Sequence, residues 1–228
     1  SRKLVSLWNF QIAGNSPSLH LAAKSGDLQL VNTLLQNGAD VNASTKDSIT
    51  PIFGAIQGRH ATVVEALVKA GANVNVRSLK GVSLGSHAET LKHLTPLHRA
   101  ASCGHTEVVR ALLEVSTINV NPKNQVGSTP LHFAAQNGHP STVKLLLEKN
   151  ALIDEMSNAQ RTPMHVAVRS SKVDVAKLFI ENGANIHVRD YQGYTPCMMH
   201  DTWKSLKSLS QKQLISTPKR RKVSPHCI

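Results

Sequence analysis

The sequence lacks the features that mark membrane, secreted and disulfide-rich proteins. It has no run of about 18 apolar residues, so no helix is predicted to span a bilayer. The N-terminal LVSLWNF is too short, and too poorly followed by small residues, for a secretory signal. Cysteine is limited to Cys103, Cys197 and Cys227 with no C-x-x-C spacing, which argues against a disulfide framework and favours a reducing compartment.

The sequence also lacks the motifs of the common catalytic sites. It contains no G-x-x-x-x-G-K-[ST] loop, no H-E-x-x-H helix and no G-x-S-x-G elbow. Cys103 lies beside histidines in HRAASCGH, but these residues belong to a phrase that recurs along the chain. We therefore expect no enzyme, no catalytic residue, no cofactor and no small-molecule substrate.

What the sequence does contain is a repeated phrase. TPLHRAASCGHTEVV at 95–109 returns as TPLHFAAQNGHPSTV at 129–143, with weaker copies starting at positions 17, 50, 162 and 195. The intervals are 33, 45, 34, 33 and 33 residues. A fixed period of this length predicts stacked structural units, a solenoid, rather than one globular core.

Each feature of the phrase has a local physical reason. The threonine occupies a helix N-cap position, and the following proline fits the first helical residue, where no N–H is needed. The small pair Ala100–Ala101 allows close helix packing, and Gly104 and Gly138 end the short helix in the left-handed conformation. A second helix with apolar residues at helical spacing follows, and it ends before β-prone segments such as ADVN and ANIH.

These features resemble the ankyrin repeat family, whose signature is T-P-L-H-x-A at a pitch of about 33 residues. The resemblance implies an all-α fold with short β-hairpin fingers: an ankyrin-repeat solenoid of about five full repeats plus a partial terminal repeat. The predicted repeat domain is 16–203, after an N-terminal cap or the end of a preceding repeat at 1–15 and before a basic tail at 204–228. Its units lie near 16–48, 49–77, 94–126, 127–159 and 160–192, with a partial unit at 193–203 and an insertion at 78–93.

Three departures from the phrase carry further expectations. Arg59 and Ser171 stand where other copies have the turn glycine, so these turns either hold a strained residue or relax. The insertion is assigned to the finger between the second and third units, as a binding element or as a plain surface loop. Ser86 and Glu89 fit a capping box, so a short helix there would present Leu91 and Leu94.

Histidine is abundant, yet its positions are those of the repeat. The resemblance implies that the phrase's fourth residue bridges adjacent turns by hydrogen bonds, and that neighbouring copies lie too far apart to share a metal ion. We therefore expect structural imidazoles at His20, His98, His132 and His165.

The resemblance also implies that a partner protein, of unknown identity, binds the concave face formed by the fingers and the first helices. Carried over to the variable positions of this sequence, the candidate protein-binding residues are Lys24, Ser25, Arg99, Ser102, Cys103, Gln125, Val126, Ser128, Gln136, Asn137, Asn158, Ala159, Arg161, Arg169, Ser170, Tyr191, Gln192 and Tyr194. Two tyrosines and two arginines near the last units have the composition of interface anchors.

Outside the binding face, two regions suggest modification or transport. Asn42 in LLQNGADVN fits a family pattern of asparagine hydroxylation, although it is also placed to stabilise the turn. Residues 204–228 hold seven Lys/Arg and no acid, and PKRRKV resembles a nuclear import signal read by an importin. Its candidate residues are Lys219, Arg220, Arg221 and Lys222, with phosphorylation candidates at Thr217 and Ser224; a solubilising tail and a dibasic processing site are the alternatives.

The leading functional prediction is a non-enzymatic interaction scaffold or adaptor of the nucleus or cytoplasm. One alternative is a fragment of a larger ankyrin protein, such as a channel, toxin or enzyme, since the chain begins with Ser1 rather than Met. Another is non-specific nucleic-acid binding by the basic tail, which the absence of interleaved aromatic residues disfavours.

Overall fold

The computed structural model describes residues 17–79 and 93–199. These residues form helices in consecutive pairs, each joined by a short turn and separated from the next pair by a longer loop, or finger. In chain order the helices are α1 (Pro17–Ser25), α2 (Leu28–Gln36), α3 (Pro51–Gly58), α4 (Ala61–Lys69), α5 (Pro96–Cys103), α6 (Thr106–Leu113), α7 (Pro130–Asn137), α8 (Pro140–Glu148), α9 (Pro163–Arg169) and α10 (Val173–Glu181), followed by a short 3-10 helix at Pro196–Met198.

The pairs stack into two layers. The inner helices α1, α3, α5, α7 and α9 pack in sequence against one another, and the outer helices α2, α4, α6, α8 and α10 do the same. Leu67, Leu112 and Leu146 of successive outer helices are fully buried. Burying such a side chain contributes about 1.5–3 kcal/mol, and here the burial depends on the adjacent pair. The predicted solenoid is confirmed.

The helix ends follow the predicted capping chemistry. The hydroxyls of Thr95 and Thr162 accept from the backbone N–H of the residue three positions later, and a proline occupies the first turn of each helix. Gly104 and Gly138 end α5 and α7 with φ of 68° and 76°. Arg59 keeps the same left-handed conformation with φ of 66°, so the turn retains its geometry and the residue carries the strain.

The fingers differ from the predicted β-hairpins. No β-strand occurs among residues 17–79 and 93–199. In the fingers that start at Thr45, Asn124, Ser157 and Asp190, side-chain oxygens hold the turn together with backbone bonds. In the finger between the third and fourth units, Asn124 Oδ1 accepts from the N–H groups of Val126 and Ser128 at 3.1 and 2.8 Å. Because these side-chain bonds use the donors that a hairpin ladder needs, the ladder does not form.

The insertion leaves and re-enters the stack at one finger. Ser78 N–H donates to Leu94 O at 3.0 Å, and His93 N–H donates to Ser78 O at 2.8 Å. Asn124 forms the corresponding two bonds with Ser128 and Gly127 at 3.1 Å each. The finger therefore closes as in an uninterrupted unit, although its two ends are joined by a much longer segment.

The prediction that Leu94 is presented at the surface is wrong. Leu94 is fully buried because it follows the finger directly and packs into the core ahead of α5. Ser86, Glu89 and Leu91 lie outside the described residues.

Cys103 has a free thiol, whereas Cys197 is disulfide-bonded, which the sequence argument against a disulfide framework did not anticipate.

The repeated histidines connect neighbouring units, as the resemblance implied. Nε2 of His98, His132 and His165 lies 2.9, 2.9 and 3.1 Å from the carbonyl oxygens of Ser128, Arg161 and Tyr194 in the next unit. Nδ1 of each ring accepts the backbone N–H of the threonine three residues earlier, at 3.1 to 3.2 Å. Since that N–H can only donate, Nδ1 carries no proton and Nε2 does. This hydrogen-bond pattern therefore requires neutral imidazoles.

Burial keeps these rings neutral over a wide pH range. It lowers the pKa of His98 and of His132 to about 4, against 6.5 for an ordinary histidine, and it lowers the pKa of His165 as well. A proton on Nδ1 would also face the threonine N–H and break that bond. Above pH 6.5 these histidines are neutral in both the folded and the unfolded chain. Their protonation therefore affects the free energy of unfolding only at lower pH.

We therefore predict that the repeat domain loses stability on mild acidification. Between about pH 6.5 and 4 the unfolded chain binds protons that the folded chain excludes, which costs about 1.4 kcal/mol per pH unit for each such histidine. Urea unfolding of the full chain at about pH 7, 6 and 5 should show falling midpoints. His132→Gln should flatten this dependence and exposed His187→Gln should not; a constant midpoint, or equal flattening by both variants, contradicts the prediction.

Candidate protein-binding surface

Backbone hydrogen bonds join the tips of neighbouring fingers at three junctions of the stack. Backbone N–H groups of one tip donate to carbonyl groups of the preceding tip: Leu79 to Asp47 at 2.9 Å, Asn158 to Val126 at 3.0 Å and Tyr191 to Ala159 at 3.2 Å. Asn158 Nδ2 adds a bond to Gln125 O at 3.2 Å. The variable residues of successive fingers are thus held side by side at a fixed spacing.

A row of asparagines connects the bases of the same fingers. Asn42 Oδ1 accepts from Asn73 N–H at 2.7 Å, and its Nδ2 donates to Gly71 O at 3.2 Å. Asn75 and Asn121 repeat this double bond to the next unit. The row was not among the sequence predictions, although its signal, a polar residue at the end of each ADVN-like segment, is visible in the sequence.

Asp154 occupies the same place in the next unit and completes only half of the pattern. Its carboxylate accepts from Asn185 N–H at 3.0 Å, but it has no N–H to donate to the carbonyl of Gly183. Burial raises the pKa of Asp154, and the hydrogen bond from Asn185 opposes that effect. A charge is therefore partly desolvated where the other units place a neutral amide.

We predict that Asp154→Asn stabilises the protein at neutral pH. The amide would regain a donor for Gly183 O and remove the desolvated charge, for a gain of about 0.5–1.5 kcal/mol. Urea unfolding at pH near 7 measures the change, with Asn121→Asp as the reciprocal variant. The reciprocal variant should lose stability; a loss in Asp154→Asn or a gain in Asn121→Asp would refute the interpretation.

The structure places most of the predicted binding residues on accessible surface. Those that are exposed are Lys24, Ser25, Gln125, Val126, Gln136, Asn137, Asn158, Arg169, Tyr191, Gln192 and Tyr194, and those that are partly exposed are Arg99, Cys103, Ser128, Ala159, Arg161 and Ser170. Ser102 differs, since it is buried and its hydroxyl and carbonyl accept from Asn137 Nδ2 at 3.0 and 2.8 Å. It connects units instead of offering free surface.

The last fingers bring four polar and aromatic side chains together. Arg161 Nε donates to Asp190 Oδ2 at 3.2 Å, its Nη2 lies 3.4 Å from Gln192 Oε1, and its guanidinium lies 5.6 Å from the ring centre of Tyr191. Tyr191 and Tyr194 remain 60% and 48% exposed. The guanidinium is thus fixed from two sides while the aromatic rings stay available.

Asp190 anchors this arrangement as a buried carboxylate. Burial by itself would raise its pKa, but the N–H groups of Tyr194 and Gln192 and the Arg161 guanidinium outweigh burial and lower the pKa. The carboxylate is 3% exposed and accepts from those N–H groups at 3.0 and 2.9 Å. It stays charged at neutral pH and holds Arg161 against the finger.

Further exposed apolar side chains lie on the fingers. Leu79, Leu152 and Met156 are 55%, 53% and 44% exposed. Leu152 stands where other fingers carry Asp40, Asn73 or Asn185, whose side chains accept from a backbone N–H two residues later. These residues were not among the predicted binding residues, because those were taken from the variable positions of the family pattern and not from exposed hydrophobicity.

Several predictions lie outside the described residues or remain predictions. Lys219, Arg220, Arg221, Lys222, Thr217 and Ser224 lie outside them. Asn42 is exposed and linked to the next unit, and its hydroxylation stays a prediction. Within 17–79 and 93–199, no three His, Cys, Asp or Glu side chains are grouped to hold a metal ion. In the same ranges no helix has the length and apolarity to cross a bilayer.

Comparison with known proteins identifies the family. A family model described as ankyrin repeats (3 copies) matches residues 19–124, 75–157 and 117–190, which together cover most of the chain. The chain belongs to the ankyrin repeat family. Repeats of this kind are generally protein–protein interaction modules and do not themselves catalyse reactions.

The similar curated proteins share these repeats within much longer chains. An alpha-latrotoxin of Latrodectus geometricus is 30% identical over 47% of this chain and 7% of its own length. The RelA-associated inhibitor of Mus musculus is 36% identical over 41% and 10%, respectively. The E3 ubiquitin-protein ligase XBAT33 of Arabidopsis thaliana is 36% identical over 43% and 17%. The chain matches less than a fifth of the length of each of these relatives, and their names describe different activities.

Proposed function

We propose that the chain is a non-enzymatic interaction scaffold or adaptor that holds a partner protein against its concave face. This face comprises the finger tips and the exposed positions of the inner helices. The observation that carries the proposal is the cluster at the last fingers, where the exposed Tyr191 ring lies beside an Arg161 guanidinium that Asp190 already holds, and exposed Tyr194 follows in the same finger.

The cluster suits binding for an energetic reason. Tyrosine and arginine are enriched among the residues that dominate interfaces, because they combine a large contact area with hydrogen-bonding groups. Side chains that are already ordered lose less conformational entropy when a partner arrives. Arg161 is ordered by Asp190 and Gln192 before any partner binds, so little of its ordering cost falls on the complex.

We predict that Arg169→Ser/Tyr191→Ser/Tyr194→Ser reduces partner recovery without unfolding the chain. Arg161 is kept because it pairs with buried Asp190. Quantitative affinity purification of the full chain from cells should show at least one partner reduced by about tenfold, the loss expected when hot-spot side chains are removed.

The matched control is Lys69→Ser/Lys144→Ser/Lys177→Ser on the outer helices, which should leave recovery of the same partner unchanged. Equal unfolding midpoints of the variants exclude a folding defect. Unchanged recovery of every partner in the first triple variant, or the same loss in the control, would reject the concave face as the binding surface.

The basic run of the tail supports a nuclear site of action for this scaffold. PKRRKV carries four adjacent cations between Thr217–Pro218 and Ser224–Pro225. Phosphorylation of both hydroxyl residues would add about −3 to −4 charges and offset those cations. The tail would thus act as an import signal that binds importin when unphosphorylated.

We predict that a fluorescent reporter fused to residues 204–228 accumulates in nuclei. Replacing Lys219, Arg220, Arg221 and Lys222 by Ala should make it diffuse, and Thr217→Asp/Ser224→Asp should weaken accumulation. Replacing Lys204, Lys207 and Lys212 by Ala serves as the control, since it removes charge outside the run. A diffuse parent reporter, or a parent and a Lys/Arg variant that behave alike, would disprove the import signal.

A further inference from the structure

One inner helix carries a glycine at a position where the other inner helices carry a larger side chain. The fifth position of the repeated phrase is Leu21, Arg99, Phe133 or Val166 in the other units and Gly54 in α3. A cavity of about 240 Å³ opens there between α1, α3 and α5. A Cβ on Gly54 would lie 2.9 Å from the carbonyl oxygen of His20, so α1 packs too closely for a larger residue.

The cavity has an apolar wall and a cationic rim. Leu21, Phe53 and Ile49 line it together with Lys24 and Arg99, and no acidic residue lines it. The Leu21 side chain is 64% exposed although it lies beside a cavity into which an apolar side chain could pack. Leu21 and the rim thus offer apolar contact and positive charge to the same incoming group.

The positive charge at the rim is not neutralised within the site. Arg99 Nη1 is buried and has no hydrogen-bond partner. Behind it, His105 Nδ1 is likewise buried without a partner, and burial together with the charges of Arg59 and Arg99 lowers the pKa of His105 to about 4. The protein itself thus supplies no acceptor for this guanidinium nitrogen, and a carboxylate that pairs with Arg99 would add a charge-assisted interaction that the folded chain lacks.

The remaining segments of this chain are poor candidates to fill the cavity. Residues 1–16, 80–92 and 200–228 contain 11 Lys/Arg and only 2 acids, so they would bring like charge to the rim. The cavity is also smaller than the roughly 300–1,000 Å³ of pockets that enclose a whole small molecule. Its size and charge fit a few side chains of a segment that runs across the concave face.

We propose that the Gly54 cavity binds an acidic–apolar segment of a partner protein. An apolar side chain of that segment packs against Leu21 and Phe53, while an adjacent carboxylate pairs with Arg99 and Lys24. The inference rests on the proposed function and specifies the partner chemistry for the first three units, at the opposite end of the stack from the Arg161 cluster.

The test is fluorescence anisotropy of the full chain with short labelled peptides. The probe alternates Glu with Leu; one comparison peptide replaces Glu by Gln and a second replaces Leu by Ser. The Glu–Leu peptide should bind about tenfold more tightly than either comparison, because both the charge and the apolar contact contribute. Lys24→Gln/Arg99→Gln should reduce its affinity about tenfold, and Leu21→Ser should reduce it less.

Lys69→Gln/Lys144→Gln is the matched control, since it removes two exposed cations from outer helices and should leave the affinity unchanged. Equal loss in this control would reduce the effect to overall charge and overturn the proposal. Equal binding of the Gln–Leu or Glu–Ser peptide would also overturn it. Tighter binding of a phosphoserine–Leu peptide would reject the carboxylate as the ligand.

The outcome can be separated from that of the proposed function. If the peptides fail at this cavity while the Arg169/Tyr191/Tyr194 variant still loses a partner, the scaffold function stands and the acidic–apolar assignment falls. If the peptides bind as described and the finger variant changes nothing, the partner-binding surface is the Gly54 cavity and not the last fingers.

Discussion

The structure depends on one constraint: no helix pair can satisfy its own polar groups or cover its own apolar face. Near the start of α5, α7 and α9 an imidazole fixes the N-cap of its own unit through Nδ1 and binds the next unit through Nε2. The same ring therefore completes one unit and sets the distance to the following one. The outer leucines are buried only because that distance places the neighbouring pair against them.

The same constraint explains what could be predicted from the sequence. N-caps, first-turn prolines and left-handed glycines depend on local sequence. The roles of Thr95, Pro96 and Gly104 can therefore be predicted from a few adjacent residues. The links made by the finger asparagines were not predicted, because the partners of Asn42 are Gly71 and Asn73, about one repeat away in the chain. Such a bond can be predicted only once the register between neighbouring units is known, and periodicity alone does not give the direction of a side chain.

The Gly54 cavity was missed for a related reason. A glycine within a helix indicates lost stability or close approach, and the sequence does not say which. Only the position of the His20 carbonyl shows that Gly54 is there for close packing of α1 on α3. The cavity then follows from the absence of a side chain between Leu21 and Arg99, which belong to different units and are separated widely in the chain.

The distribution of charge distinguishes the two faces in a way that stability does not require. The five outer helices carry five acids and four bases, whereas the five inner helices carry three bases, Lys24, Arg99 and Arg169, and no acid. Exposed ion pairs contribute about 0–1 kcal/mol, so the frame would gain little or nothing from this arrangement. The inner-helix surface, with charges of one sign, instead attracts molecules of the opposite sign and repels those of like sign, which affects association rate and partner choice more than folding. Because the fingers hold the inner helices at a fixed spacing, that preference is presented as a surface of defined shape rather than as diffuse net charge.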